Sequence, residues 1–429
     1  MAQTKGQTTM VQKSKVNFKQ ILDHSHIANP YPLYEQFRET PVAVQEDGSY
    51  IVSTYNEIVS LLHDPRVSAD MRNSDAQKRA MEQMQQRRAQ MIAQGQPVPE
   101  QEEVEPPFIF QDPPNHDRLR RIVMSQFTPA RIEGMTSHIE QIVKEHLDRH
   151  TQGGQIDIVD DLAYPLPVTV ICQLLGVPRE DEARFHAWAE LLATVLDPGQ
   201  IQTEEQQKQI MGAGQQIREY MTQLLERLKT NPGDNMLSGM MRTDDIEGPM
   251  TPRELISTAV LLLIAGHETT VNLITNGTLA MVRSPELLKQ LREDPDLVIT
   301  YVEELLRYDP PVHFRTRTAL TNIDIAGVTI PKGATIILVL ASGSHDGERF
   351  KDPEEFIADR QGNEHLGFGS GIHYCVGAPL ARIEAHIALR ELSRRLIEPT
   401  LAVDPPPYRD NAALRGPRHL LVNFKGLVD

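Results

Sequence analysis

The feature that most constrains this chain is a glycine-rich segment that ends in a cysteine and continues into a predicted helix. From residue 367 the sequence reads Gly-Phe-Gly-Ser-Gly-Ile-His-Tyr-Cys-Val-Gly, which places the cysteine at position 375. Glycines let the backbone fold closely around a sulfur atom and aim N–H groups at it. The positive end of the following helix also favours a thiolate. The segment therefore predicts a thiolate that can bind iron.

Other interpretations of this segment fail on its spacing. A dinucleotide-binding G-x-G-x-x-G pattern breaks at Ile372, and Ser370 lacks the outer glycines of a nucleophile elbow. A lone cysteine is more often a buried structural residue, so the pattern around Cys375 carries the argument. Cys172, in the apolar run of residues 168–172, is expected to have that buried role. Two cysteines also leave no disulfide framework and no multi-cysteine zinc site.

Charge and hydropathy exclude several classes of protein. The net charge of −16 argues against a general nucleic-acid binder, which needs a basic face. The segment Met1–Lys19 is polar and has no apolar core typical of a secretory signal. The sequence has no uninterrupted apolar run of the ~18 residues that a membrane span needs. We therefore expect a cytoplasmic protein without a membrane anchor.

The hydrophobic pattern is mainly helical, with a small β region. Helical periodicity dominates from residue 117 to 242, whereas residues 50–53 and residues 318–340 have strand patterns that include a hairpin at Ala326-Gly327. A last helix is predicted over 379–396 and a closing strand over 420–424. The composition of residues 73–107 differs from the rest, which predicts an exposed helical insertion.

One predicted helix is unusually long. Thr251 can cap it, Pro252 suits its first turn and Glu254 completes a capping box. The pattern continues to Val282, which gives a helix about 48 Å long at ~1.5 Å per residue. The stretch from 259 to 265 is apolar on all sides, so the middle of this helix is expected to be buried.

The cysteine segment resembles the signature of the cytochrome P450 family. Phe368–Gly377 matches F-G-x-G-x-H-x-C-x-G without a gap, and the resemblance extends over about residues 27–425. It implies a mainly α fold with a small β region, in which the long helix lies over a haem. It also implies a flexible segment 1–26 and a single domain over 27–429, with 73–107 as a variable insertion.

The resemblance implies that Cys375 is the axial ligand of a haem b iron. Ala265-Gly266-His267-Glu268-Thr269-Thr270 looks like the oxygen-activation segment, with Glu268 and Thr269 as an acid–alcohol pair that relays protons. The alternative is that Thr269 bonds within its own helix and Glu268 makes a structural ion pair. The implied cofactor-binding residues, several of them suited to the haem propionates, are His116, Arg120, Ala265, Gly266, Arg317, Phe368, His373, Cys375 and Gly377. Arg315 is an alternative to Arg317.

Glu304-Leu305-Leu306-Arg307 matches the E-x-x-R motif of the same family. The two charged side chains lie one turn apart on a helix and can pair. The resemblance adds Arg360 as a second arginine and gives all three a structural role, whereas an ordinary exposed E-x-x-R contributes little to stability.

The implied activity is insertion of one oxygen atom from O2 into a small apolar substrate, by hydroxylation or epoxidation. Leu261, Ile264, His313 and Leu414 are predicted to line the substrate pocket. The alternatives are a peroxide-driven peroxygenase, a haem-thiolate coupling or dehydration enzyme, and, from a different class, a haem-binding sensor without turnover. An intact Glu268-Thr269 pair favours oxygen activation.

Electrons are expected from separate proteins, a ferredoxin or flavodoxin with its reductase. Such donors are usually acidic, so a local basic face is predicted despite the net charge. The candidates for that face are Arg118, Arg121, Arg131 and Arg382, with solvated surface residues as the alternative.

Overall fold

The computed structural model describes residues 17–96, 105–193, 203–243 and 245–428. Helices make up most of this part of the chain, in agreement with the predicted mainly α fold. The helices are α1 (Phe18–Ile21), α2 (Tyr31–Arg38), α3 (Tyr55–Leu62), α4 (Asp75–Ala93), α5 (Asn115–Met124), α6 (Pro129–Gly134), α7 (Thr136–Leu147), α8 (Pro165–Leu175), α9 (Glu182–Ala193), α10 (Glu204–Thr230), α11 (Met236–Arg242), α12 (Pro252–Arg283), α13 (Pro285–Glu293), α14 (Val298–Tyr308), α15 (Leu340–Gly343) and α16 (Ala378–Arg395).

Short strands form three small sheets in the described residues. A five-stranded sheet has the order β1-β2-β8-β5-β3, a three-stranded sheet the order β4-β10-β9, and β6 and β7 form the predicted hairpin. The strands are β1 (Val42–Val44), β2 (Tyr50–Val52), β3 (Val67–Ser68), β4 (Gly154–Asp157), β5 (Arg315–Ala319), β6 (Ile323–Ile325), β7 (Val328–Ile330), β8 (Thr335–Leu338), β9 (Thr400–Leu401) and β10 (Leu421–Phe424).

The long helix α12 is the central element of the fold. Its predicted start is confirmed, since Thr251 Oγ1 accepts from the backbone N–H of Glu254 and the Glu254 carboxylate accepts from the N–H of Thr251. The helix packs against α8, α10 and α16. It is long and apolar enough to cross a membrane, but 72% of its most apolar window is buried inside the fold. That burial is typical of the core helix of a globular protein.

The β region differs from the prediction at one end. The strand pattern predicted up to residue 340 ends at Leu338, because Leu340 begins the short helix α15. The antiparallel register of β5 with β8 pairs Arg315 with Leu338 and Arg317 with Ile336. Alternate residues of a strand share a face, so Arg315 and Arg317 project to the same side of β5.

Two predicted variable segments are only partly described. Residues 1–16 lie outside the described part, whereas α1 is helical and Ile21 is buried in a hydrophobic cluster with Tyr34 and Phe314. Order therefore begins before residue 27, because apolar side chains of α1 complete that cluster. In the predicted insertion, α4 has no buried residue, in agreement with an exposed helix, and residues 97–104 lie outside the described part.

Candidate active site

A tight backbone turn holds Cys375 in place. The N–H of Cys375 donates to the carbonyl oxygen of Phe368 at 3.0 Å. Gly369 and Gly371 have φ angles of +71° and +70°, a region that favours glycine. A Cβ on Gly371 would also lie 2.3 Å from the carbonyl oxygen of Leu62, so no other residue fits there. The glycines of this segment therefore allow a turn that α3 packs against closely.

Opposing effects act on the Cys375 thiol. Burial raises the pKa of this thiol, while the backbone N–H groups of Gly377 and Ala378 and the charges of Arg120 and Arg315 lower it. The predicted N–H groups are present, and the arginine charges are an addition that the sequence analysis did not foresee. Cys172 is fully buried, and burial raises the pKa of its thiol. That environment agrees with the predicted structural role of Cys172.

A cavity of about 890 Å³ separates the cysteine turn from α12. Cys375 and Thr269 both line it. The walls also include most of the predicted site residues, namely Leu261, Ile264 and Leu414 from the predicted pocket, and Arg120, Ala265, Gly266, Arg317, Phe368, His373 and Gly377 from the predicted cofactor set. The structure thus brings together segments that lie more than 250 residues apart in the chain.

His313 is not on the cavity wall, so its predicted role in the pocket is wrong. It is fully buried, and its Nδ1 lies 2.7 Å from the hydroxyl oxygen of Tyr34 on α2. Burial lowers the pKa of His313 well below its usual value, so the ring is neutral. Its neighbour Phe314 does line the cavity. The prediction failed because adjacent residues in extended chain point in opposite directions.

The polar side of the cavity is strongly basic. Arg120, Arg315 and Arg317 all line it, and burial lowers the pKa of Arg317 to about 10. His373 lines it as well, and its ring centroid lies 4.2 Å from that of His116, which is fully buried behind it. Burial lowers the pKa of His373 to about 3 and also lowers that of His116, so both rings are neutral here.

Two buried ring nitrogens on this side have no hydrogen-bond partner in the described structure. They are Nδ1 of His373 and Nε2 of His116. Buried polar groups are rarely left unsatisfied, and Nδ1 of His373 can donate in one tautomer of the neutral ring, so this nitrogen in the cavity wall indicates a ligand with acceptor atoms. Nδ1 of His116 lies 2.7 Å from a carboxylate oxygen of Asp117 and donates to it, so Nε2 of a neutral His116 is an acceptor. Together with the three arginines, Nδ1 of His373 suits a ligand with carboxylate groups.

Glu268 and Thr269 are neighbours in sequence but point to different surroundings. The Thr269 hydroxyl donates to the carbonyl oxygen of Ala265 at 2.7 Å. The Glu268 carboxylate is 7% exposed and pairs with Arg409, which also lies 3.4 Å from Oδ1 of Asn272. Of Glu268 and Thr269, only Thr269 reaches the cavity wall, since the two side chains leave the helix in different directions. These contacts agree with the alternative interpretation, in which Thr269 bonds within its own helix and Glu268 makes a structural ion pair.

The E-x-x-R motif forms a buried ionic cluster on α14. Glu304 and Arg307 are each 0% exposed, and two guanidinium nitrogens of Arg307 donate to the carboxylate of Glu304, each at 2.8 Å. Nε of Arg360 donates to the same carboxylate at 3.0 Å. The predicted three-residue cluster is therefore present. Arg307 also donates to the carbonyl oxygens of Ser344 and Pro353, so the cluster ties α14 to the loop before the cysteine turn.

Comparison with known proteins decides the family. The profile of the cytochrome P450 family matches residues 43–397. The chain belongs to the cytochrome P450 family.

Curated P450 relatives align over nearly the whole chain. The cytochrome P450 monooxygenase PikC of Streptomyces venezuelae is 37% identical over 418 residues, which cover 94% of this chain and 93% of the relative. The 6-deoxyerythronolide B hydroxylase of Saccharopolyspora erythraea is 36% identical over 403 residues, which cover 92% and 96%. Since such relatives are monooxygenases and hydroxylases, this chain is a P450 monooxygenase.

Solved P450 structures have the same fold. Ligand-free CYP164A2 of Mycobacterium smegmatis superposes with a TM-score of 0.84 and 36% identity, and the match covers 95% of this chain and 99% of that one. The complex of P450BioI with an acyl carrier protein that carries hexadec-9Z-enoic acid superposes with a TM-score of 0.81 and 32% identity, over 93% and 99% of the two chains. The P450-like fold with its long central helix is confirmed.

The cavity of this P450 fits the haem-thiolate cofactor that the family implies. Cys375 presents a sulfur ligand at one wall, and the haem propionates are carboxylates of the kind that the basic side accepts. The unpaired Nδ1 of His373 is the independent sign of such acceptors. Arg315 belongs with Arg317 in this set, because both line the cavity.

Sequence reasoning missed two further residues of this P450 site. Arg409, the ionic partner of Glu268, lies 141 residues beyond it, and no local motif marks it. Glu384 on α16 lines the cavity, and burial raises the pKa of its carboxyl to about 8. The sequence did contain a signal for Glu384, since it places a carboxylate on the buried side of the predicted helix that follows Cys375.

The predicted basic face does not consist of free charges. Each of its four arginines forms an ion pair with a carboxylate, which reduces the local positive charge. Arg118 pairs with Glu254, Arg121 with Asp245 and Glu247, Arg131 with Asp234, and Arg382 with Glu303. The sequence did not show these pairs, because the acids lie 79 to 136 residues from their partners.

Proposed function

We propose that this P450 inserts one oxygen atom from O2 into a small, largely apolar organic substrate, by hydroxylation or epoxidation. The observation that carries the proposal is that Cys375 and Thr269 line one cavity, and that the residues of α12 that precede Thr269 in its wall are largely apolar. Leu261, Ile264 and Ala265 form that wall. They hold and orient a hydrocarbon skeleton and exclude water from the reacting carbon.

The cofactor in this proposal is haem b, held by Cys375 and by the basic side of the cavity. When bound, a haem with a thiolate ligand supplies oxygen activation, because the sulfur donates electron density that favours O–O cleavage. Arg120, Arg317, His373 and His116 would hold the propionates, with Arg315 beside them. Phe368, Gly377, Ala265 and Gly266 would contact the cofactor through the walls that they form.

Thr269 and Glu268 form the proton-delivery pair of the proposal. The Thr269 hydroxyl is in the cavity wall, where it can exchange its bond to Ala265 for one to a ligand or water. Glu268 is an acid one residue away that Arg409 holds beside Asn272. A proton from Glu268 reaches the cavity when its carboxyl swings away from Arg409 or through an intervening water. Arg409 is therefore a positioning residue for Glu268.

The electrons would come from a separate ferredoxin or flavodoxin with its reductase, in the cytoplasm. The chain has two cysteines, which cannot hold an iron–sulfur cluster, so this proposal needs an external donor. Tyr374 and Arg382 lie near the cysteine turn, and Nη1 of Arg382 lies 3.3 Å from the Tyr374 hydroxyl. Ile372 and Tyr374 are exposed here, which makes this surface the proposed docking side.

The test compares product formation by the haem-loaded enzyme with a ferredoxin, its reductase and NADPH against product formation with hydrogen peroxide alone. We expect the redox chain to support turnover, and Thr269→Ala to reduce the product formed per NADPH by about tenfold or more. Thr275→Ala is the matched control, since that buried hydroxyl bonds to the carbonyl oxygen of Val271 on the same helix and the residue does not line the cavity. Turnover with hydrogen peroxide but not with the redox chain would overturn the proposal in favour of a peroxygenase. Haem binding without turnover under either condition would indicate a sensor.

A further inference from the structure

Three side chains that can ligate a metal converge at one end of the three-stranded sheet. Asp157 is the last residue of β4, Asp160 lies in the π-helical turn Val159–Ala163, and His419 comes two residues before β10. One donor atom of each lies within 4.8 Å of the other two, and in the described residues this is the one such group of three His, Cys, Asp or Glu side chains. None of the three lines the cavity. Asp157 and His419 are 262 residues apart, so the fold and not a local motif brings them together.

The distances between these donor atoms are close to those of a zinc site. Nδ1 of His419 lies 2.7 Å from Oδ2 of Asp157 and 3.5 Å from Oδ2 of Asp160. Tetrahedral zinc binds imidazole nitrogen and carboxylate oxygen at about 2.0–2.2 Å, which places neighbouring ligand atoms about 3.3–3.6 Å apart. One nitrogen and two carboxylate oxygens suit zinc better than Mg²⁺ or Ca²⁺, because those ions prefer oxygen ligands alone.

The backbone holds the Asp157 carboxylate in position. Its Oδ1 accepts from the N–H groups of Val159 and Leu420, each at 3.0 Å. These bonds leave Oδ2 directed at His419, so this part of the site is formed before a cation binds. Hydrogen bonds of this kind orient a metal ligand and increase the affinity of the site.

The site is open to solvent and concentrates negative charge. The Asp160 side chain is 62% exposed and that of His419 is 43% exposed, so a hydrated cation can enter and keep water on its open side. Burial and the charges of Asp157 and Asp161 raise the pKa of Asp160, so the carboxylates repel each other. The charges of His419 and Arg409 act in the opposite direction. A divalent cation between Asp157 and Asp160 would remove their repulsion.

We propose that Asp157, Asp160 and His419 bind a zinc ion, with water completing its coordination. This site is separate from the cavity, so the inference does not depend on the proposed function. Bound zinc would tie the π-helical turn to the ends of two strands, and this turn packs against α12. Tyr164 directly after the turn lies edge-on to His267 of α12, with ring centroids 4.2 Å apart. Zinc should therefore stabilise the folded chain.

Isothermal titration calorimetry of the chelator-treated, haem-loaded full-length protein with zinc chloride tests the site. In haem-loaded protein Cys375 is the proposed iron ligand, so its thiol does not compete for zinc. We expect one zinc ion to bind per chain, more tightly than Mn²⁺ or Mg²⁺ does. Asp160→Asn and His419→Gln should each weaken zinc binding about tenfold or more, because each removes one of three protein ligands. Neither side chain is buried, and circular dichroism checks that both variants keep the wild-type fold.

The matched control is His24→Gln. It removes an imidazole from another exposed histidine–aspartate pair, in which Nδ1 of His24 lies 3.0 Å from Oδ1 of Asp410. That pair does not belong to the group of three donors, so this variant should bind zinc as wild type does. Thermal unfolding gives a second measurement, since zinc should raise the midpoint of wild type and of His24→Gln but not that of Asp160→Asn.

Several results would overturn the inference. They are the absence of zinc binding at micromolar concentrations, tighter binding of Mg²⁺ than of zinc, and a wild-type unfolding midpoint that zinc leaves unchanged. A loss of less than about tenfold in Asp160→Asn or His419→Gln would show adventitious surface binding only. An equal loss in His24→Gln would lead to the same conclusion.

Discussion

The two sides of the cavity are built in different ways. On the Cys375 side, the backbone approaches so closely that a Cβ on Gly367 would lie 2.5 Å from the carbonyl oxygen of Leu306 and one on Gly371 would lie 2.3 Å from that of Leu62. On the α12 side, a Cβ on Gly266 would meet only the side chain of Ile171, at 3.7 Å. Backbone contacts of this kind cannot relax, whereas side-chain contacts can.

This difference in packing indicates which side of the cavity fixes the cofactor chemistry and which side selects the ligand. The Cys375 side combines fixed backbone turns with the buried Glu304 cluster, so it holds one geometry. The α12 side presents apolar side chains and ends in an exposed Arg253, so it can change with little cost to the fold. We expect substitutions on the first side to abolish cofactor chemistry or stability, and those on the second to alter ligand choice.

The largest effect is expected from Cys375→Ser. A hydroxyl cannot replace the thiolate, so the reduced, CO-bound protein should lose its red-shifted Soret band and its turnover with the redox chain. Absorbance spectroscopy of haem-loaded protein measures the band. Cys172→Ser is the control, because this buried cysteine lies away from the cavity wall, and it should keep the band. Retention of the band in Cys375→Ser would refute the ligand assignment.

Arg307→Ala should destabilise the Cys375 side more than any single change on the α12 side. It leaves the fully buried Glu304 carboxylate with only Arg360 as its cation, and breaking a buried pair in this way costs about 3–5 kcal/mol. Urea unfolding measures the loss. The matched control is Glu391→Ala, from a partly exposed E-x-x-R pair with Arg394 on α16, which should change the unfolding free energy by less than about 1 kcal/mol. Equal losses of unfolding free energy in Arg307→Ala and Glu391→Ala would contradict the expected difference between the buried cluster and an exposed pair.

Arg409→Leu should impair proton delivery without weakening substrate binding. It removes the cationic partner that holds Glu268, so product formed per NADPH should fall by about tenfold. The ferric spin-state titration of the same variant should match wild type, because Arg409 does not line the cavity. Arg409→Lys keeps the charge and should recover part of the coupling. A variant that loses substrate affinity instead would assign Arg409 to the pocket.

Glu384→Gln should have the smallest effect at low pH, where it changes no charge, and should act on the pH dependence of stability. Burial raises the pKa of Glu384 to about 8 from the ordinary value of 4.5, so the folded protein binds a proton here that the unfolded chain releases. The stabilisation is full below pH 4.5 and is lost as the pH rises through about 8. Urea unfolding across that range should show a weaker decline in Glu384→Gln than in wild type. If the unfolding free energy declined equally with pH in both proteins, Glu384 would have to lie beside a compensating positive charge.

Much of the local structure could be predicted because its causes lie close together in the chain. Thr251 and Glu254 cap α12 from within one turn, and the β6–β7 hairpin follows from two turn residues between short apolar runs. The residues of the cysteine turn also act through neighbours. His313 was misplaced because sequence proximity to the pocket does not say which way a side chain points in extended chain.

By itself the sequence predicted the haem-thiolate chemistry, since the proposed ligand Cys375, its glycine turn and the helix after it occupy one short segment. Only the tertiary structure decided what surrounds that chemistry. It turned Glu268 toward Arg409 and paired the arginines of the predicted basic face with distant acids. The physical reason is that charges interact across space, between elements whose separation along the chain carries no information about their distance.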